Sequence, residues 1–361
     1  MQTGIIGLPS AGKTTICNAL TGNNTPTGGS NIQKSPKLGI AHVPDQRLEE
    51  LSEIYKPKKT IQAELNFSEI PSQLSGEIFH GKSVEHLQKM DAIISVVRGF
   101  NNESVPHLSG TVNFIRDIEK INFDIMFFDI SLLDRRIDRI NKLIKGMRSA
   151  ERTLSLKKIE NLKIIQEDLE KGIALRDRHL SPQESEAISD TFLVSRLPLL
   201  TIVNIDEKDL DQTEEIQKEV SSVIDSELSG SMVMCALLEE ELSKLSFGDA
   251  KELRTDLNMK TSGLENVIKL TYSVLGLVSF ITVGSDEVRA WTVSSGTPAQ
   301  EAARVVHSDI AKGFIRAEVV SYEDFICERS MAKIREKGLL RKEGKDYLVK
   351  DGDIVNYLFS I

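Results

Sequence analysis

Apolar residues along this chain recur with two different periods. Thr3 to Ile6, Leu38 to Val43 and Ile61 to Phe67 are short apolar or alternating runs that read as strands. Ala92 to Val97, Leu199 to Val203 and Met232 to Ala236 are near-continuous apolar runs, the pattern of strands buried on both faces. Segments with helical spacing separate them. Ile16 to Leu20 opens one helix, and Arg47 to Tyr55 is amphipathic. Strand–helix alternation of this kind predicts an α/β fold with a doubly wound, mostly parallel sheet.

Two stretches break the alternation. From Asn122 to about Gly172 the chain is highly charged, with apolar residues at helical spacing. Ile125, Phe128, Leu132, Ile137, Ile140 and Ile144 form one stripe; Leu162, Ile165 and Leu169 form another, and Gly146 lies between. This predicts an inserted α-helical hairpin of coiled-coil type. Whether it serves a partner or is a plain solvated helix pair stays open. The second break follows Gly276. Val288 to Val293, Phe314 to Val320, Tyr347 to Val349 and Val355 to Phe359 read as strands around a helix at Pro298 to Val306, a small α+β domain.

Composition narrows the class. The 361 residues are 40% hydrophobic and 27% charged, the balance of a soluble globular protein. No apolar run approaches the ~18 residues that span a bilayer, and Met1-Gln2-Thr3 carries no basic leader. Three scattered cysteines suggest neither a metal site nor a disulfide framework, and six histidines form no ligand cluster. A cytoplasmic protein without membrane association is expected. A formal net charge of -9 argues against coating DNA or other nucleic acid non-specifically.

Gly7-Leu8-Pro9-Ser10-Ala11-Gly12-Lys13-Thr14 matches G-x-x-x-x-G-K-[ST] in full, between a predicted strand and a predicted helix. Backbone N–H groups of Pro9-to-Thr15-type loops wrap a phosphate, helped by the positive end of the following helix. Residues Ser10, Ala11, Gly12, Lys13, Thr14 and Thr15, with Pro9 shaping the turn, are the candidate phosphate cradle. Lys13 is expected on the β- and γ-phosphates, and the Thr14 hydroxyl on Mg²⁺. The fold class is therefore that of a P-loop NTPase.

Further segments resemble the YchF (Obg-like ATPase) family. They are Gly4 to Pro9, Leu38 to Leu48, Ile54 to Thr60, Glu287 to Thr292, Lys312 to Ala317 and Gly344 to Val355, the last three similar to its TGS-type C-terminal domain. The resemblance runs the length of the chain. It implies a P-loop domain at 1–121 and 190–277, a coiled-coil insertion at 122–189 and a TGS-like domain at 278–361. It also implies ATP-leaning hydrolysis with Mg²⁺, and association with the ribosome or ribosomal RNA through the arm and the C-terminal domain.

For the base, relatives that use GTP carry N-K-x-D, whose Asp accepts the paired N–H donors of guanine. Here the segment is Asn204-Ile205-Asp206-Glu207. Ile205 stands at the Lys position and Glu207 at the Asp position, similar to the N-x-x-E form of YchF proteins, which implies ATP over GTP. A plain solvated loop is the competing reading. Cys235, Ala236 and Leu237 fall where a last base-contacting loop belongs.

Two segments depart from the superfamily. The switch II motif D-x-x-G is replaced by Glu69-Ile70-Pro71-Ser72. Pro71 has no N–H, and Ser72 has less backbone freedom than Gly. Gln33 stands near the expected switch I Thr, with Thr25, Thr27 and Ser35 nearby. Glu69 keeps the negative charge, and Gln73 is a candidate for positioning water. The expectation is a hydrolase of low activity, or alternatively a nucleotide-binding scaffold that hydrolyses little; a small-molecule kinase fits the C-terminal segments poorly. The basic excess from Arg329 to Lys350 suits RNA phosphate or a solvated face equally. Trp291 is expected in the small domain's core, and Cys17 buried behind the loop.

Overall fold

The computed structural model describes residues 1–23, 37–73, 75–224, 226, 228–257, 259 and 261–360. Gln33, Thr25, Thr27 and Ser35 lie outside them. The chain runs through β1 (Gln2–Gly7), α1 (Lys13–Thr21), β2 (Lys37–His42), α2 (Gln46–Tyr55), β3 (Lys59–Ile61), β4 (Glu64–Glu69), α3 (Gly81–Leu87), β5 (Ala92–Arg98), α4 (Phe114–Ile144) and α5 (Ser149–Glu170). It continues through β6 (Leu199–Asn204), β7 (Ser229–Met234), β8 (Leu277–Val283), β9 (Glu287–Ser294), β10 (Phe314–Ser321), β11 (Arg341–Glu343) and β12 (Asp353–Phe359), with shorter helices between. Two compact units result: Met1–Ile40 with Asn66–Val274, and Ala41–Leu65 with Leu275–Ile361.

The first unit holds a six-stranded sheet in the order β2-β4-β1-β5-β6-β7. β1 pairs parallel with β4 and β5, β5 with β6, and β6 with β7. β5 and β6 are buried at every position. That is why their sequences read as unbroken apolar runs rather than alternating ones. Parallel pairing brings the C-terminal ends of β1, β4, β5 and β6 to one edge, the ligand edge of an open α/β sheet.

The expected hairpin is present, and it starts earlier than the sequence pattern indicated. α4 begins at Phe114 because the Asn113 side chain accepts a hydrogen bond from the Arg116 N–H and caps the first turn. Its N-terminal part, Ile118, Ile121 and Ile125, packs into the core beneath the sheet. Further out, Leu133, Ile137 and Ile144 mesh with Ile159, Leu162, Ile165 and Leu169 of α5. The inward row therefore includes Leu133, with Leu132 and Ile140 only half-buried. Asp129 sits in this row, fully buried, because its carboxylate accepts from the backbone N–H groups of Val194 (2.9 Å) and Ser195 (2.7 Å). Burial pushes its pKa up to about 6 against those hydrogen bonds.

The second unit is built on a sheet in the order β11-β10-β12-β8-β9-β3. The run Ile61 to Phe67, read as one strand, is divided. β3 pairs parallel with β9, whereas β4 pairs with β1 in the first unit. Residues 41–65 thus belong to the fold of the C-terminal segment. Tyr55 stacks on Phe325 with ring centroids 5.6 Å apart, and Arg47 binds Asp45 and Asp351, each at 2.8 Å. Tyr347 to Val349, expected as a strand, forms only an isolated bridge between Leu348 and Pro298. Trp291 is half-buried against the core, its Nε1 donating to the Thr282 hydroxyl at 3.0 Å and its ring covered by Arg289. Part of the basic excess at 329–350 is paired: Lys337 with Glu328, Arg335 with Glu318, and Arg341 with Glu343 and Asp353.

Candidate nucleotide site

β1 ends at Gly7 and α1 starts at Lys13, so the loop between them opens on the ligand edge of the sheet. Two glycines are dictated by space as well as by dihedral. At Gly7 (φ 149°) an added Cβ would lie 2.3 Å from the Val96 carbonyl oxygen. At Gly12 (φ 100°) it would lie 2.2 Å from Asn204 Nδ2. Ser10 takes a left-handed conformation at φ 60°. The Ala11 N–H turns back to the Leu8 carbonyl, and Ala11 is buried. No acidic residue occupies the first turn of α1, so its unpaired N–H groups keep their positive field. Pro9, Thr14 and Thr15 are half-buried along the loop and the first turn, and Ser10 is exposed.

Lys13 is 7% exposed and folds over its own loop. Its Nζ donates to the carbonyls of Gly7 and Leu8 (both 2.9 Å) and to the Ser72 hydroxyl (3.1 Å). Burial lowers its pKa to about 8, with Glu69 pulling the other way. A buried ammonium held by neutral oxygens is poised for an anion, which would relieve that desolvation.

Glu69 ends β4 and is 4% exposed. The Thr14 hydroxyl donates to its Oε1 at 2.7 Å. Its Oε2 is buried and accepts no hydrogen bond among the described residues; Lys37 Nζ lies 3.7 Å away. A hydroxyl that donates to a carboxylate keeps its own lone pairs for a cation, and a buried carboxylate oxygen without a donor suits a metal-bound water. The residues present therefore fit Mg²⁺, with Thr14 as ligand and Glu69 behind it. The switch departure thus retains an acid at the position that meets the loop Thr. Ser72, at the position of the lost Gly, reaches Lys13 through its side chain. Gln73 is exposed, in a turn where its N–H donates to Glu77 and its carbonyl accepts from Gly76.

Asn204 joins three segments. Its Nδ2 donates to the Ala11 carbonyl (3.1 Å), and its Oδ1 accepts from the Ala236 N–H (2.9 Å). The phosphate loop, the end of β6 and the turn after β7 are thereby fixed by one buried amide. Ile205 is buried, its N–H bound to the Met234 carbonyl. Cys235 and Ala236 are buried as well, and burial raises the Cys235 pKa. Leu237 is 62% exposed and Glu207 is exposed, so both present their side chains to solvent beside this junction. Cys17 is buried behind the loop, its thiol pushed up to about 11 by desolvation, which leaves it unreactive.

The chain is similar along its whole length to proteins named ribosome-binding ATPase YchF. That of Bacillus subtilis is 34% identical over the whole of both chains. That of Escherichia coli O157:H7 is 35% identical, covering all of this chain and 99% of the relative. The structure of the Schizosaccharomyces pombe YchF GTPase superposes with a TM-score of 0.85 at 28% identity, covering 99% of this chain and 97% of that one. The family model YchF-GTPase_C, described as a protein of unknown function (DUF933), matches residues 277–360. This chain belongs to the YchF family.

Proposed function

We propose that this chain is an Mg²⁺-dependent ATPase that acts as a nucleotide switch on ribosomes in the cytoplasm. The observation that carries the reading is the Thr14–Glu69 hydrogen bond beside Lys13. A metal-binding hydroxyl, a buried acid and a buried cation meet at the mouth of a phosphate loop. Lys13 and the N–H groups of residues 10–15 bind and orient the β- and γ-phosphates. Mg²⁺, held by Thr14 and backed by Glu69, supplies charge neutralisation on those oxygens. Gln73, in the turn after Ser72, is the candidate for orienting the attacking water. Full-length relatives named as ATPases give the low-hydrolysis scaffold no support. Their printed name also motivates the ribosome as partner, with the helical arm and the C-terminal unit as the candidate docking surfaces.

The base preference rests on Asn204, Ile205 and Glu207. Asn204 is committed to the loop and to Ala236, Ile205 is turned into the core and supplies no Lys stem to the base, and Glu207 carries its carboxylate on a longer arm than Asp. The paired guanine donors lose their fitted acceptor, while adenine requires none. The test is a titration of Mg-ATP and Mg-GTP against the protein, with cosedimentation on purified ribosomes. ATP is expected to bind at least tenfold tighter, ~1.4 kcal/mol. Preference for GTP by the same margin would sink the base assignment, and failure to sediment with ribosomes would sink the partner.

A further inference from the structure

Ser72 stands at the switch II position where the superfamily motif carries Gly, so a hydroxyl enters the site that a glycine could not supply. It is half-buried and accepts from Lys13 Nζ at 3.1 Å. The hydroxyl's own proton finds no acceptor among the described residues. The other two acceptors on Nζ, the Gly7 and Leu8 carbonyls, belong to the phosphate loop, whereas Ser72 reaches the ammonium from the segment after β4. A hydroxyl that accepts on one lone pair and keeps a free proton is set to donate to an anion arriving at the same ammonium.

The segment around it is held in place. On one side, Pro71 has a fixed φ, and its carbonyl accepts from the Ser83 hydroxyl at 3.4 Å. On the other, the Gln73 N–H donates to the Glu77 carbonyl (3.0 Å) and the Gly76 N–H to that of Gln73 (2.9 Å). The turn also lies against Leu108 and against Leu8 of the phosphate loop, whose side chains an added Cβ at Gly76 would meet at 3.0 and 3.7 Å. A donor fixed in this way has little freedom left to lose on binding, so more of its contact shows as affinity. Its neighbours are not available for the role. Glu69 brings negative charge and is bound to Thr14, and Gln73 is exposed.

We infer that the Ser72 hydroxyl is the group that tells ATP from ADP in this chain, donating to a γ-phosphate oxygen that Lys13 also binds. This rests on the Mg²⁺–ATP reading above and deepens it by assigning the γ-phosphate contact to a side chain in place of the glycine N–H. A hydroxyl that only satisfied the ammonium of the empty site would affect both nucleotides alike, so the readout is a ratio of affinities and not turnover. Mg²⁺–AMP-PNP, which keeps a γ-phosphate and resists hydrolysis, and Mg²⁺–ADP are titrated calorimetrically against the wild type, Ser72→Ala and Ser72→Thr. Ser72→Ala is expected to bind AMP-PNP about tenfold more weakly while ADP changes by less than about twofold. Ser72→Thr, which restores the hydroxyl, should keep the wild-type ratio. An unchanged ratio in Ser72→Ala, an equal loss of both nucleotides, or a Thr variant that behaves like Ala overturns the role of the hydroxyl and leaves the ATP reading intact. A wild type that binds neither nucleotide overturns both.

Discussion

Gly12 and Asn204 interlock at the single-residue scale, and their contact shows how little freedom the phosphate loop has. The space a Cβ would take at position 12 is already filled by the Asn204 amide, and the positive φ penalises a side chain there independently. Gly12→Ala is therefore expected to displace Asn204, releasing both Ala11 and Ala236, and to weaken ATP binding about tenfold or more, with ~1–3 kcal/mol of backbone strain alone. A nucleotide titration with the folded variant checks this; unchanged affinity would mean that the loop is not the cradle. The P-loop was legible in the sequence because its chemistry tolerates few residues at fixed spacing. The switch II substitution was legible as a departure, but its outcome was not. Whether Glu at position 69 reaches Thr14 depends on where β4 ends beside β1, a matter of register and not of motif. Ser72 touching Lys13 was hidden for the same reason.

At the scale of elements, Asp129 is a buried polar anchor of the hairpin. Asp129 ties the middle of α4 to the backbone at residues 194–195, just before β6. Asp129→Ala removes both acceptors and leaves two buried N–H groups unpaired, at ~1–3 kcal/mol each. Urea unfolding of the variant is expected to show a loss of about 2–4 kcal/mol, and Asp129→Asn, which keeps one acceptor, a smaller one. A loss below ~0.5 kcal/mol would show that water replaces the carboxylate. Periodicity located both helices, since apolar side chains on a coiled pair must recur every three to four positions. It missed Asp129, because an acid in an apolar row reads as a break unless its partners, here more than sixty residues downstream, are known. It also placed the start of α4 late, since Asn113 caps a first turn whose residues are mixed in character.

For the whole molecule, the informative feature is that residues 41–65 leave the nucleotide-binding unit and complete the C-terminal one. The chain passes from β2 to α2 and β3, then returns as β4, which carries Glu69. A fragment of residues 275–361 alone would leave β9 as an open edge and strip Phe325 of its Tyr55 partner. It is expected to aggregate or to lack a cooperative melt, whereas the same fragment with residues 41–65 joined through a flexible linker should fold. Equal, cooperative melting of both would show that the segment is dispensable. No sequence signal separated Ile61 from Phe67, because a β-type run does not reveal which sheet each half joins.

Thr14, Glu69 and Lys13 are proposed to form a working Mg²⁺–ATP centre despite the altered switch motif. Phosphate release from ATP, followed with and without Mg²⁺ in the wild-type protein and in Glu69→Gln, tests it most directly, with Lys13→Ala as the variant that cannot hold the γ-phosphate. Mg²⁺-dependent release is expected of the wild type, at least tenfold slower in Glu69→Gln and near background in Lys13→Ala. Release that ignores Mg²⁺, or that proceeds undiminished in Glu69→Gln, would contradict it.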